Sequence, residues 1–537
     1  MAVRLVCGQR LYLFPTIDPD MTFPRLTLLV AAFALSAPAV FAQQTATPPA
    51  EQTADAPSEM AQIEQAWARG DYVFVREGLK TLAERDGTAL AQYRYGRVLL
   101  EGRGGPVDVP LAVSFLEKAV AQNHLEATTL LARVYLTGYT PSPARDPAKA
   151  AELLASAAAR GNAEAQYYLG LLYRTGSGVQ RDFKSAFNWF LAAAENDYLE
   201  AKYELSRAYS RGDGVAENIE QALHWLTEAA SGGHAEAQFY LALALDNGQG
   251  AQQNRNEALN WFTRAAENGY PVAYRVLGRK YLEGDGVQPN PTEALRWLQK
   301  GAERRDTVAE YHLGRAFSGA FGIPADPQRS WNYYKLASDA GMAEATTAMA
   351  RMLDEGMGVP VDRQNAVALY RLALEQGDPA AALRLGQMAG AGLLDGLAPP
   401  HLAVPWAIAA ATQGDQAALD WVHAQADQGL RPARTAYGIW LVEHDQPADA
   451  IAYIHPAAEE GDTEAQFRLG MAYSTGAGLD QDVVQAHSWL NIAAAGGHSE
   501  AGKMRDAITD LMTPEQVAEA QTVARTFFAT ARGETSK

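Results

Sequence analysis

A repeat of 36 residues runs through this sequence, and it limits the fold to a stack of similar units. Trp189, Trp225, Trp261 and Trp297 follow one another at intervals of 36 residues. An alanine stands three residues before each tryptophan, and an alanine or glycine stands four residues after it. This spacing places the three side chains on one face of a helix. We therefore predict that the tryptophans belong to the core between helices.

A second helix precedes the tryptophan helix in each clear repeat. Its pattern, A-x-A-x-x-x-L-G-x-x-Y, is complete over residues 163–173, and its small and apolar positions form a helical stripe. A Gly-x-Gly turn separates the two helices. The glycine pairs are Gly176 and Gly178, Gly212 and Gly214, Gly248 and Gly250, Gly284 and Gly286, Gly356 and Gly358, and Gly476 and Gly478. Because they follow a helix and not a strand, they predict left-handed helix caps and not a phosphate-binding loop.

The repeat also defines the domain organisation. Repeats of this kind fill residues 88–415 and return at residues 463–498. Residues 416–462 keep a helical composition but lose the Gly-x-Gly turn, so we expect divergent helical repeats and a change of pitch there. An exposed repeat at either end of an array needs a cap. We predict an N-terminal helical cap over residues 60–87, and C-terminal capping helices and a tail over residues 499–537.

Segment 163–196 resembles a Sel1-like repeat, a relative of the tetratricopeptide repeat. Its longer period, its Gly-x-Gly-Val turn and its A-x-x-W helix distinguish it from the tetratricopeptide pattern. The resemblance implies an all-α fold, a right-handed superhelical α-solenoid of about ten to eleven helix-turn-helix repeats. It also implies a scaffold or adaptor role in multiprotein assemblies. Cysteine-rich secreted members and lipoprotein members of the family depend on cysteines that these repeats lack, so neither role is carried over.

The N-terminal residues 1–42 are predicted to be a signal peptide region. With Met21 as the start, a basic residue precedes an apolar stretch, and Val40 and Ala42 fit the small-residue positions of a cleavage site. We expect cleavage after Ala42 and a periplasmic or secreted protein without a membrane span, with an uncleaved anchor as the alternative. Residues 43–59 contain no large apolar side chain and are predicted to form a disordered tether.

Composition and motifs narrow the classes of function. The chain holds 45 Lys and Arg against 63 Asp and Glu, and this net charge of −18 disfavours nucleic acid as a partner. A single cysteine excludes a disulfide framework and a thiolate metal cluster. The ten histidines show no paired metal-ligand spacing, and the motifs of common hydrolases and nucleotide-binding proteins are absent. We therefore expect no enzyme activity, no catalytic residue, no metal and no cofactor.

Two further positions of the repeat carry the same residue type in several repeats, and both are interpreted as structural. His124, His234 and His498 each stand just before the first helix of a repeat, which we call the A helix, and are predicted to be turn or cap residues. A carboxylate in the first turn of a helix interacts favourably with the helix dipole. The glutamates predicted to take this place are Glu126, Glu164, Glu200, Glu236, Glu344, Glu464 and Glu500.

The most informative position of the repeat carries arginine in six repeats, although the protein as a whole is acidic. The arginines follow the Leu-Gly pair of the A helix or its equivalent, at Arg97, Arg133, Arg207, Arg279, Arg315 and Arg351. The position three residues earlier in the repeat lies on the same face of the A helix, and it is occupied by Tyr168, Tyr240 and His312 in three repeats. By analogy with the family, the A helix lines the concave surface, so these residues form a candidate site for carboxylates and peptide backbone. The alternative is that the arginines pair with Glu200, Glu204, Glu236 or similar carboxylates inside the array.

The sequence thus predicts a non-enzymatic scaffold of the cell envelope that binds other proteins along the concave surface. The alternative is binding of a cell-envelope glycan or an exported anionic polysaccharide along the arginines. An envelope hydrolase is less favoured because no matching motif is present.

Overall fold

The computed structural model describes residues 58–139 and 143–531, which contain 27 α-helices and no strand. The predicted signal peptide region and most of the predicted tether lie outside the described residues. The last two tether residues do not fit that prediction, since Ser58 caps the first helix and Glu59 begins it. The predicted all-α, solenoid-like stack of helix-turn-helix repeats is confirmed.

The described residues divide into two compact units, 58–280 with 284–288, and 281–283 with 289–531. The first unit holds α1 (Glu59–Arg69), α2 (Tyr72–Arg85), α3 (Ala89–Glu101), α4 (Val109–Ala121), α5 (Leu125–Thr137), α6 (Pro147–Ala159), α7 (Ala163–Thr175), α8 (Phe183–Glu195), α9 (Leu199–Arg211), α10 (Ile219–Ser231), α11 (Ala235–Asn247), α12 (Arg255–Glu267) and most of α13 (Pro271–Glu283). The second unit holds the end of α13, α14 (Pro291–Ala302), α15 (Thr307–Phe317), α16 (Pro327–Asp339), α17 (Ala343–Glu355), α18 (Arg363–Glu375), α19 (Pro379–Gly390), α20 (Pro400–Thr412), α21 (Gln416–Asp427), α22 (Arg431–Glu443), α23 (Pro447–Glu459), α24 (Thr463–Thr475), α25 (Val483–Ala495), α26 (Ala501–Thr509) and α27 (Pro514–Ala531).

Each repeat is an A helix and a B helix with clear start and stop signals. In the repeat 163–198, Asn162 caps α7 by accepting a hydrogen bond from the amide of Ala165, and Asp182 caps the B helix α8. Gly176 ends α7 in the left-handed conformation, at φ 72°. The predicted glycine caps are confirmed at Gly176, Gly212, Gly248, Gly284, Gly356 and Gly476.

The second glycine of the turn lies against the preceding repeat. A Cβ atom on Gly214, where φ is +77°, would lie 2.1 Å from the carbonyl oxygen of Phe183 at the start of the preceding B helix. A Cβ atom on Gly178 would lie 2.2 Å from the carbonyl oxygen of Pro147. This glycine therefore sets how closely consecutive repeats approach.

The core lies between A and B helices, and tryptophan is not its main residue. Trp297 is 1% exposed, whereas Trp189, Trp225 and Trp261 are only partly buried. The predicted tryptophan core therefore holds in full for Trp297, whereas Trp189 and Trp225 pack against the core with part of the indole exposed, as is common for so large a side chain. The residue after each tryptophan takes the central place, as Phe190, Leu226, Phe262 and Leu298.

A buried glutamine links consecutive repeats. Gln238 in α11 is 3% exposed, and its Nε2 donates to the carbonyl of Ala230 in the preceding repeat at 3.0 Å. Its Oε1 accepts from Nδ2 of Asn268, at the end of the B helix α12, at 2.9 Å. Gln166 makes the same two bonds two repeats earlier in the chain. The glutamine therefore connects two successive B helices through the A helix between them.

The alternation of A and B helices breaks once, within the segment predicted to diverge. The pair α19 and α20 is followed by a single helix, α21, which packs against α19, α20 and α22. The pair α22 and α23 then restores the alternation, without a glycine cap between its helices. The divergence at 416–462 is therefore one additional helix followed by a hairpin with a different turn.

The close approach at Gly214 predicts a large effect of one methyl group. Gly214→Ala should lower the free energy of unfolding by about 3 kcal/mol or more, because left-handed strain and a backbone clash add. Gly233→Ala is the matched control, since Gly233 has a φ of +98° and nothing within 4 Å of an added Cβ. We expect the control to cost about 1–2 kcal/mol in urea unfolding. Equal losses in the two variants would contradict the proposed close contact.

The glutamine link predicts a second measurable loss of stability. Gln238→Ala should lower the free energy of unfolding by about 1–3 kcal/mol, because the buried carbonyl of Ala230 loses its donor and Asn268 loses an acceptor. Gln180→Ala, at an exposed glutamine of the loop after α7, is the control and should change stability by less than about 0.5 kcal/mol. Chemical denaturation followed by circular dichroism measures both. Similar stability of the two variants would show that the link does not stabilise the array.

Candidate binding surface

The nine residues predicted to recognise a partner all lie on A helices. They are Arg97 in α3, Arg133 in α5, Tyr168 in α7, Arg207 in α9, Tyr240 in α11, Arg279 in α13, His312 and Arg315 in α15, and Arg351 in α17. We call these nine residues the A-helix stripe. His312 is buried, at 7% exposed, and the other eight keep part of their side chains at the surface.

Arg133 shows how neighbouring repeats meet on the A-helix stripe. Its Nη1 lies 2.9 Å from Oε1 of Glu164 in the first turn of the next A helix. Its guanidinium group also lies 5.6 Å from the ring centre of Tyr168. Burial raises the pKa of Tyr168 above its usual value, so this residue offers a neutral hydroxyl. The arginine side chain is held in place and still remains 42% exposed.

Arg315 makes the equivalent contact with the repeat before it. Its Nη1 lies 2.9 Å from Oε1 of Glu283 at the end of α13, and 3.4 Å from Nδ1 of His312. Its guanidinium group lies 5.1 Å from the ring centre of Phe321. The structure therefore brings two predicted site residues, Arg315 and His312, into contact.

The other arginines differ in their partners. Three pair with a glutamate on their own helix, Arg97 with Glu101 at 2.7 Å, Arg207 with Glu204 at 3.3 Å, and Arg351 with Glu355 at 3.6 Å. Arg279 is exposed and makes no hydrogen bond or ion pair with any residue that the structure describes. Internal pairing, the alternative left open by the sequence, thus occurs at five of the six arginines.

A set of aromatic pairs was missed by the sequence prediction. Tyr203 stacks on His234 with 4.6 Å between ring centres and lies 6.4 Å from Tyr240. Tyr167 lies 5.1 Å from Tyr198. The same pair recurs as Tyr93 with His124, Phe239 with Tyr270, and Phe467 with His498. The signal is an aromatic residue near the start of a repeat, followed 31 residues later by a histidine or tyrosine at the last position of the same repeat.

The histidines before the A helices act as caps. Nδ1 of His124 and Nδ1 of His234 each accept a hydrogen bond from the backbone amide three residues later, which confirms the predicted role. Nδ1 of His498 accepts from the amide of Glu500. Glu500 is itself the N-cap residue of α26 and does not lie in the first turn, so the predicted glutamate column is wrong at this position.

The described residues also bear on metal binding and on membrane insertion. No group of three His, Cys, Asp or Glu side chains converges there in a way that could hold a metal ion. None of the described helices is long and apolar enough to cross a membrane.

The repeats match the family model of the Sel1 repeat eleven times. The matched segments are 89–124, 125–162, 163–198, 199–234, 235–270, 271–306, 307–342, 343–378, 379–415, 435–462 and 463–498. The chain belongs to the Sel1 repeat family. Sel1 repeats and related helical repeats generally serve as protein–protein interaction scaffolds, and they are typically non-catalytic.

Solved structures of Sel1 repeat proteins are similar to this chain. A protective antigen present in uropathogenic Escherichia coli strains, which displays an SLR fold, is 25% identical with a TM-score of 0.56, over 86% of this chain and 97% of that one. A Sel1 repeat protein from Oxalobacter formigenes is 31% identical with a TM-score of 0.37, over 43% of this chain and 91% of that one. A comparison with curated proteins found no match.

One buried carboxylate departs from the glutamine link. Glu310 occupies in α15 the place of Gln238 in α11, and it is 6% exposed. Burial raises the pKa of Glu310 above its usual value, with Asp306 acting in the same direction and Arg305 acting against it. A carboxylate without its proton cannot donate a hydrogen bond to a backbone carbonyl, as the glutamines do.

Replacing this carboxylate should stabilise the protein. Glu310→Gln removes a buried charge and supplies a donor for the carbonyl eight residues earlier, so we expect a gain of about 0.5–1.5 kcal/mol at pH 7.5. The pKa of Glu310 in the folded protein is raised above the usual 4.5. The free energy of unfolding of the wild-type protein therefore increases as the pH falls from this raised pKa towards 4.5. The difference between variant and wild type should therefore shrink at pH 5.

Urea unfolding at the two pH values measures this effect. Glu344→Gln, at an exposed glutamate in the first turn of α17, is the control and should show no comparable gain. A gain from Glu310→Gln that is equal at both pH values would contradict the role given to the charge.

Proposed function

We propose that this protein is a non-enzymatic scaffold of the cell envelope that binds partner proteins along the A-helix stripe. The observation that carries the proposal is the arrangement of Arg133, whose side chain is ordered by Glu164 and Tyr168 and yet remains 42% exposed. Side chains that are already ordered lose less conformational entropy when a complex forms. Arginine and tyrosine are also among the residues that most often contribute the binding energy of protein interfaces.

The charge pattern of the stripe favours a polypeptide over a polyanion. Five of the six arginines face a glutamate, so positive and negative groups alternate along the A helices. A polyanion gains most from clustered cations and would meet carboxylates here. A polypeptide offers donors, acceptors and apolar side chains that match such a mixed surface. Binding of an envelope glycan is therefore the second candidate.

The proposed envelope location rests on the sequence of residues 1–42, with its apolar stretch and small-residue cleavage site. A related protein from uropathogenic Escherichia coli is a protective antigen, and this supports a location that antibodies can reach. Export followed by cleavage would leave Gln43 as the first residue.

Crosslinking on intact envelopes tests the proposal. The full chain with a C-terminal tag is expressed in its own host, crosslinked and purified, and the captured proteins are identified by mass spectrometry. We expect a reproducible set of partners and a mature N-terminus at Gln43. The triple variant Arg279→Ala, Arg315→Ala, Arg351→Ala should recover these partners at least about tenfold less well, because it removes interface arginines.

The matched control is Arg264→Ala. Arg264 is an exposed arginine on the B helix α12, and its guanidinium group lies 4.7 Å from the ring centre of Trp261. Its replacement should leave capture unchanged. Undiminished capture by the triple variant, at wild-type thermal stability, would show that the stripe is not the binding surface. Recovery of glycan instead, with an affinity that falls steeply with salt, would favour the second candidate.

A further inference from the structure

Two helices follow the last Sel1 repeat, and both pack on its B helix α25. They are α26 and α27, and we call them the closing helices. Oγ of Ser488 in α25 donates to the carbonyl of Ala520 in α27 at 3.1 Å. Nη1 of Arg505 in α26 donates to Oδ1 of Asn491 in α25 at 3.0 Å. Each closing helix is therefore joined to α25 by a hydrogen bond.

The closing helices cover an apolar face of the last repeat. Leu490 is fully buried and belongs to one cluster with Ala501 and Ile508 of α26. Trp489 is also buried, and its ring centre lies 5.5 Å from that of Phe527 in α27. A terminal repeat without such a cover exposes its apolar side chains to water. Separation of the closing helices would therefore give access to the apolar face of α25.

A titratable side chain is buried in this region. His487 lies in α25, and only 4% of its surface is exposed. Its Nδ1 atom is buried and has no hydrogen-bond partner among the residues that the structure describes. Burial of a polar group without a partner is unfavourable, and burial of a charged group without one costs far more. The packing therefore favours the neutral form of the ring.

The charged groups around His487 do not compensate for its burial. Asn491 stands one helical turn after His487, so both share a face of α25, and Arg505 reaches this face. Burial lowers the pKa of His487 below its usual value, Arg505 acts in the same direction, and Asp506 opposes them. The helices α24 and α27 also pack on α25, but none of their described residues adds a charge that acts on the ring. Protonation in the closed arrangement would thus bury a second positive charge near Arg505.

We propose that His487 is a pH-sensitive switch of the closing helices, and that its protonation in mildly acidic solution loosens their packing and exposes the apolar face of α25. When the helices separate, water reaches the ring and the proton binds without the cost of burial. Because the pKa of His487 is lowered in the closed arrangement, the stability of this arrangement is fully present above the usual 6.5. It is lost as the pH falls from 6.5 through the lowered pKa. The switch is independent of the proposed function, because it needs no partner.

Hydrogen exchange of the full chain, followed by mass spectrometry, tests the proposal. Backbone amides exchange when a segment opens, so the exchange rate reports the open population. Peptides from residues 501–531 are compared with peptides from residues 343–375 of the same sample, which removes the effect of pH on the exchange chemistry. We expect the ratio of the two rates to rise at least about threefold from pH 7.5 to pH 5.5. Glu464 and Glu515 stay charged at pH 5.5, because their pKa values lie below the usual 4.5.

Three variants assign the effect to one histidine. His487→Gln and His487→Leu cannot take up a proton in this pH range, so each should reduce the change in the ratio to less than about 1.5-fold. His401→Gln, at an exposed histidine of α20, is the matched control and should keep the full change. Circular dichroism checks that the variants are folded, and two replacements of different polarity keep the test valid where one of them fails to fold.

Nuclear magnetic resonance of the histidine Cε1–H groups follows the protonation directly in the wild-type chain. The signal that is missing from a folded His487 variant should titrate below the usual 6.5, and a midpoint at or above this value would overturn the proposal. An exchange ratio that does not change with pH would also overturn it. So would a change that persists in both His487 variants, since another histidine such as His498 would then be responsible. Equal acceleration of both sets of peptides would show a loosening of the whole array, and the switch would be wrong.

Discussion

A buried glutamine amide fixes the packing of consecutive repeats in four places of the array, at Gln92, Gln166, Gln238 and Gln466. Gln238 bonds to a backbone carbonyl of the preceding repeat and to Asn268 of its own repeat, with only 3% of its surface exposed. A buried amide is costly when it lacks a partner, so both bonds must form together. They fix the ends of two B helices relative to one A helix. Apolar packing alone is not directional and would allow adjacent repeats to slide.

The packing of consecutive repeats also orders the surface before any partner arrives. Arg133 can meet Glu164, and Arg315 can meet Glu283, only because consecutive A helices stand at a set distance. The glutamates that order the arginines also reduce the net charge of the stripe. A partner must therefore compete with these internal carboxylates or use donors that they leave available. Arg279 is the arginine of the stripe at which no carboxylate of the described residues competes.

Features that depend on a single repeat could be predicted from the sequence. The glycine caps at Gly176 and its equivalents follow from local backbone conformation, and the cap role of His124 follows from its place before a helix. The depth of Trp189 in the core could not be predicted, because periodicity gives a face and not the width of the space beside it. Pairs such as Tyr203 with His234 join the start and the end of one repeat, and a spacing of 31 residues is too long for helical periodicity to indicate. Arg97, Arg207 and Arg351 pair with glutamates of their own helices, whereas the pairing of Arg133 and Arg315 depends on distances that only the assembled array defines.

The spacing of the linking contacts also has a consequence for how the chain acquires its structure. Gln238 and Asn268 are 30 residues apart in sequence, and Arg133 and Glu164 are 31 apart. Each closure therefore joins short stretches of chain, for which the entropic cost of forming a loop is small. A polypeptide that emerges N-terminus first, from a ribosome or a narrow channel, can complete one such closure as soon as the next hairpin is out. Folding can then proceed in step with emergence and need not wait for the C-terminus.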